Sequence, residues 1–332
     1  MLRPRTGLAV LTIAVGLMWR LLFVGSADLG PADLARFETH GIDLPNSYGE
    51  VPFFLVWTRG DGQVFVALAA DPLARGPAAD LADLDYRFGR IGFAWLGWLF
   101  SLGQQRLIPV ALFSVNVMAL GLMGAIVANA EKRLGRRALL ALLNPALYLG
   151  FAGDTAETVA VVAATGAVLA EAGWIRLGAS AILGTFRSEL LTVVPIAQAR
   201  VARALTVGVS TSVLVRAIGV ALAGYWSGSA GALGLPMAGY LVALQRNDPL
   251  TSALMGAFLA VVLATLYEGL RHRSGWPRAA FVSTSLLLLC LTPKMLEDSN
   301  VLRVAGALPL LWAFTVRRSA DFGRPIDKSG QT

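Results

Sequence analysis

The chain has little charge, almost no histidine and a single cysteine. Only 15% of its 332 residues are Asp, Glu, Lys or Arg, against about 25% in an ordinary soluble domain. Cys290 stands alone, which excludes an internal disulfide, and its apolar surroundings mark it as a small core- or lipid-facing residue. His40 and His272 are the whole histidine complement, too few for a histidine-based metal or protease site. A Walker A loop, a Rossmann glycine pattern, an HExxH helix and a Gly-x-Ser-x-Gly elbow are all missing. The glycine-rich GSAGALGLP at 228–236 has no following lysine and reads as a flexible turn. The two halves show no inverted repeat of the kind from which many transporters are built.

What is present is apolar sequence in long blocks. Hydrophobic residues make up 56% of the chain, and a block of about 17–25 of them spans a bilayer as a helix. A transmembrane β-barrel would instead alternate over segments of about ten residues. The expected fold is therefore an all-α, polytopic transmembrane bundle. The net charge of +7 does not point to nucleic acid, because the basic residues sit in short clusters between apolar blocks, as cytoplasmic loops do.

Those clusters set an expected topology. Arg3 and Arg5 place the N-terminus in the cytoplasm, and an uncleaved first helix at 7–25 carries the chain out, with Arg20 snorkelling to the interface. A long outer segment, 26–87, follows. It holds ten acids against four arginines, and its apolar pieces VPFFLVW and GQVFVALAA read as short interfacial helices. Segment 87–106 reads as an interfacial or re-entrant piece, so that the cluster EKRLGRR at 131–137 is cytoplasmic. Spans at 107–130, 138–152, 159–173, 177–186, 190–199, 204–225, 250–270, 279–293 and 301–316 bring the total to about ten. A single transmembrane domain over 1–316 and a polar cytoplasmic tail at 317–332 complete the organisation. The pieces flanking FRSE (186–189) are too short to cross and read as half-helices; the alternative is one helix over 175–198.

This topology collects charge on the outer face: Asp61, Asp71, Asp154, Glu157, Glu189, Asp248, Glu297 and Asp298, with Arg187, Lys294 and Arg303 nearby. Asp61, between two glycines and before an apolar run, reads either as a helix N-cap or as a catalytic base. Asp71 lies about 15 Å further along any continuous helix, so the two acids do not form a carboxylate pair. DYRFGR (85–90) is either an interfacial anchor or a contact for an anionic headgroup through Arg87 or Arg90. Arg187 and Glu189 stand at a membrane-embedded turn, as a mutual pair or as part of a site. Arg216, midway along an apolar span, has no assigned role.

The run GDGQVFVALAADP followed by YRFGRIGFAWLGWLFSLG resembles bacterial integral-membrane glycosyltransferases of the GT-C class, in particular those similar to the GPI-anchor mannosyltransferases. That family carries a Trp- or Tyr-Asp-Gly element and a YRFGRxxYP element. NPALYLGFAGDTAETVAVV, LGTFRSELLTVVP and NVLRVAGALPLL resemble further family stretches, so the likeness spreads over 1–316. Gly60 replaces the family's aromatic before Asp-Gly, and Gly92-Phe93-Ala94 stands where the family has Tyr-Pro.

The resemblance implies a bacterial plasma-membrane enzyme that takes a sugar from a polyprenyl-phosphate donor. It would transfer the sugar to a hydroxyl of a glycan, lipid or protein acceptor at the outer face, with inversion. Carried onto this chain, Asp61 is the base, Arg187, Arg90 and Arg303 bind the donor phosphate, and Asp154, Glu157 and Glu189 position the acceptor. Asp154 and Glu157 are also the candidates to support a divalent metal. Expected partners are the lipid-linked donor, the acceptor and membrane lipids, with no nucleic acid. The alternative is a non-enzymatic transporter, flippase or assembly partner for lipid-linked glycans, which calls for a polar path through the membrane that includes Arg216.

Overall fold

The computed structural model describes residues 4–25, 37–39, 42–44, 61–81, 84–153, 155–198, 200–224, 235–246, 249–291, 296 and 305–315. The stretch VPFFLVW, the tail 317–332, and Asp154, Asp248, Lys294, Glu297, Asp298 and Arg303 lie outside the described residues; Asp61 is described in its backbone only. The described chain is helical apart from a short antiparallel pair, Phe37–Thr39 with Ile42–Leu44.

Among the described residues, four helices are long and apolar enough to cross a membrane, over Arg5–Leu22, Gln105–Leu143, Val201–Ala223 and Ser252–Arg271. Large apolar side chains such as Leu22, Leu214 and Leu254 point out of these helices and are mostly exposed. That inside-out pattern suits lipid and makes this a helical membrane protein. The other helices are shorter.

Helix α1 (Pro4–Gly25) runs antiparallel to α5 (Ile108–Leu134). Glycines permit the close approach: a Cβ on Gly124 would lie 2.7 Å from Ala9 Cα, and one on Gly16 would strike Leu120. Proline near its start, Lys132 and Arg133 in its last turn, and Gly135 at φ 69° beyond its end bound α5.

Arg20 does not snorkel. It is fully buried, donating from Nη1 to the carbonyl of Phe151 at 3.0 Å, with its guanidinium 4.9 Å from the Phe113 ring. The end of α6 (Pro145–Ala152) supplies that carbonyl, and the negative helix terminus attracts the cation. Two aromatic faces then complete a site that the interface cannot match.

Helices α2 (Asp61–Ala70) and α4 (Ile91–Phe100) are ten residues each, about 15 Å, which is half of a bilayer's hydrocarbon thickness. They pack parallel in one register: Phe65 meets Phe93 edge-to-face at 5.3 Å, and Ala69 meets Gly97. The expectation of an interfacial helix over GQVFVALAA is not met. Val64 to Ala69 are at most 2% exposed, whereas a helix lying flat in the interface leaves one face to water. The short α3 (Leu84–Phe88) leads into α4.

Two further pairs of short elements meet end to end. Helix α6 turns at 153–156 into α7 (Glu157–Leu169). Helix α8 (Gly173–Phe186) ends at Arg187, whose φ −153° and ψ 81° leave the helical region, and the chain continues as the 3-10 segment Ser188–Ala197. The single helix over 175–198 is thus excluded, and the two-piece reading holds. Helix α9 (Val201–Ala223) runs beside α8, followed by α10 (Ala238–Arg246), α11 (Pro249–His272), α12 (Gly275–Leu289) and α13 (Ala307–Phe314). Polar ties cross these packed faces: Thr284 Oγ1 to Thr192 Oγ1 at 2.9 Å, Trp312 Nε1 to Thr265 Oγ1 at 3.2 Å, and Asn144 Nδ2 to the carbonyl of Gly306 at 2.7 Å.

Arg133, Arg176 and Arg200 share one end of the bundle, with Arg136, Arg137 and Arg203 next to them in sequence. Glu157 and Arg187 lie at the opposite ends of α7 and α8 from this basic end.

Candidate functional site

The turns of the two broken helix pairs bring charge together inside the bundle. Arg187 Nη2 is 2.8 Å from Glu157 Oε1, and Nη1 is 2.9 Å from Glu189 Oε1. Arg187 is 4% exposed and Glu157 2%, whereas Glu189 is 25% exposed. Three of the expected site residues therefore meet. They do so as one cation between two carboxylates, and both terminal nitrogens of Arg187 are engaged. The local backbone explains the placement: Glu157 begins α7, where a carboxylate suits the positive helix end. Thr158 Oγ1 donates to the carbonyl of Leu147 at 2.9 Å and locks the turn before α7.

A second group lies around the start of α4. Arg90 stacks on Tyr86, with its guanidinium carbon 4.8 Å from the ring centroid, and donates from Nη2 to the Tyr86 hydroxyl. Arg216 of α9 reaches the same turn. A Cβ on Gly89 would lie 3.4 Å from Arg216 Nε, so the guanidinium lies close against this turn. Phe88 and Gly89 are buried, which departs from a surface anchor with snorkelling arginines.

Aromatic packing joins the two groups. Phe93 lies 6.3 Å from Phe186, the residue before Arg187. Gly92 permits this contact, since a Cβ there would be 2.4 Å from Thr185 Oγ1 and from the Phe186 ring. Phe65 continues the chain of rings into α2. The parallel register of α2 and α4, in which Phe65 opposes Phe93 and Ala69 opposes Gly97, puts the start of α2, which bears Asp61, at the same end of this pair as the start of α4. The start of α2, the start of α4, Arg216 and the Arg187 turn thus converge on one junction.

Asp71 is elsewhere and has a structural task. Its Oδ1 accepts from the Arg75 N–H at 3.1 Å, and its Oδ2 accepts from Gly76 at 2.6 Å and Ala78 at 3.3 Å, closing the turn after α2. Among the described residues, no three His, Cys, Asp or Glu side chains gather as metal ligands. Reading the sequence missed Arg216 as a neighbour of DYRFGR. The only signal was an arginine within an apolar span, opposite a glycine 127 positions earlier.

No family model, curated protein or solved structure matches the chain.

Proposed function

We propose that this protein is a membrane glycosyltransferase of GT-C type, with about ten membrane segments and both termini cytoplasmic in a bacterial plasma membrane. It transfers a sugar from a polyprenyl-phosphate donor to an acceptor hydroxyl at the outer face. The observation that supports this reading is that Arg90 and Arg216 flank Gly89, at the end of the α2–α4 pair where α2 starts with Asp61. A phosphate leaving group needs fixed positive charge, which the guanidinium fork provides.

In the proposed reaction the Asp61 carboxylate takes the proton of the acceptor hydroxyl. The hydroxyl oxygen attacks the anomeric carbon as the bond to the phosphate oxygen breaks, and polyprenyl phosphate leaves with both electrons. Inversion follows from this single displacement. Arg90 and Arg216 receive the leaving phosphate. Arg187, expected from the sequence as a phosphate ligand, is reassigned, because Glu157 and Glu189 already occupy its terminal nitrogens. Its proposed task is to hold the two turns together and leave Glu189, the more exposed carboxylate, to face the acceptor. Asp154 and Arg303 keep their proposed roles beside the acceptor and the phosphate.

Purified full-length protein in lipid nanodiscs, given polyprenyl-phosphate mannose and a panel of acceptor glycosides, tests the reading. Formation of a new glycosidic bond and release of polyprenyl phosphate support it. Donor movement between leaflets with no bond formed supports the transporter alternative.

A further inference from the structure

At the basic end, away from the Arg187 turn, α5, α7 and α8 enclose a cavity of about 1200 Å³ that also touches Ile196 and Arg200. Its walls are apolar, formed by Leu122 and Ile126 of α5, Gly166 of α7 and Ile182 of α8, among others. Leu122 and Ile182 are more than 40% exposed, so the cavity opens sideways between α5 and α8, toward lipid. From Leu122 to Leu134 the wall rises about 18 Å, close to the hydrocarbon depth of one leaflet, half of about 30 Å.

The rim of this cavity carries excess positive charge. Arg133, Arg176 and Arg200 line it, and the one carboxylate with them is Glu171, paired with Arg133 at 2.5 Å. With that pair neutral, Arg200 leaves the rim positively charged. Arg176 donates from Nε to the carbonyl of Ala167 at 3.0 Å and also to Ala170, so it is fixed at the end of α7. Arg200 is held by an unusual backbone. Gln198 at φ 58° and Arg200 at φ 55° both adopt the left-handed conformation that costs non-glycine residues strain. This geometry lays the guanidinium on Gly173, where a Cβ would be 1.7 Å from Nη1. Two arginines thus crowd the start of α8. Trp174, 76% exposed, stands at the lip where interfacial tryptophans sit.

An apolar slot one leaflet deep, open to the bilayer and topped by the Arg200 guanidinium, fits one class of ligand. We infer that it binds a single anionic phospholipid of the leaflet at the basic end, with the headgroup phosphate on Arg200 and one acyl chain between α5 and α8. This site is independent of the transfer chemistry at the opposite turns.

Native mass spectrometry of the full-length protein released from detergent tests the inference, with phosphatidylglycerol, phosphatidylcholine and inorganic phosphate as probes. The expected result is one tight phosphatidylglycerol adduct, bound at least tenfold more tightly than phosphatidylcholine. Arg200→Glu should remove most of that preference. Gly178→Trp should weaken both lipids, because Gly178 lines the cavity and nothing lies within 4 Å of a Cβ there. Gly178→Leu repeats that arm with a smaller side chain if the tryptophan variant does not fold. Equal binding of the two lipids overturns the inference, as does a preference that survives Arg200→Glu. Lipid binding unchanged by filling the slot also overturns it, and so does inorganic phosphate displacing phosphatidylglycerol at equal concentration.

Discussion

Arg187 and Glu157 form an ion pair at 2.8 Å between two chain turns thirty residues apart, and both side chains are buried. Neither turn belongs to a helix long enough to hold it in place alone. The pair, with Glu189 at 2.9 Å on the other terminal nitrogen, is therefore the joint between them.

Removing one partner of a buried pair strands the other charge, at a cost of about 3–5 kcal/mol. Arg187→Met should lower stability by that amount, read as the denaturation midpoint in micelles. Glu157→Met combined with Arg187→Met should recover most of the loss, because the only carboxylate then left without Arg187 is Glu189, which is a quarter exposed and keeps its contact with solvent. A double variant no better than Arg187→Met would mean that the joint works through shape rather than charge.

Arg216 should behave differently. It packs on Gly89 and is only half-buried, with no carboxylate assigned to it among the described residues. Arg216→Met is expected to keep its denaturation midpoint within about 0.5 kcal/mol, as for a substitution away from buried networks. Sugar transfer should fall by about 10²–10³, the usual loss when one electrostatic stabiliser of a transition state is removed. A large stability loss with normal transfer per folded molecule would make Arg216 a packing residue.

Gly92→Val probes the contact that brings α4 to Arg187. The new Cβ would meet Thr185 Oγ1 and Phe186 at 2.4 Å, backed by helix on both sides. Overpacking of this kind costs about 1–3 kcal/mol. Because the ring chain Phe65–Phe93–Phe186 would be spread, transfer should fall by more than the fraction unfolded, in a single experiment measuring both.

Arg20→Met tests the cation at the end of α6. It removes a charged donor to the Phe151 carbonyl, and hydrogen bonds to charged groups contribute about 1.5–3 kcal/mol. A denaturation midpoint lowered by that amount is the expected outcome. No change would indicate that the two rings, not the carbonyls, determine the position of Arg20.

The sequence made the main lines of this structure readable where the signal is local. The long apolar blocks identify the membrane helices. Arg187 within a short, charged turn marked the break between α8 and the 3-10 segment, and Glu157 and Glu189 stood out as the acids near it. The rest depends on contacts between distant segments. Arg20 looks like an interface anchor until its carbonyl partner, 131 positions away, is known. GQVFVALAA has the length of an interfacial helix, and only its packing against α4 and α5 reveals a buried one. Asp71 and Asp61 look alike in sequence, yet Asp71 spends its carboxylate on three backbone N–H groups of one turn.

The measurement that bears most directly on the proposed chemistry is the transfer rate of Asp61→Asn. Asparagine keeps the size and helix-starting preference of aspartate but cannot accept a proton. The account predicts a fall of about 10²–10⁴ in transfer from polyprenyl-phosphate mannose, with the denaturation midpoint unchanged. Transfer at the wild-type rate by folded Asp61→Asn protein would contradict it.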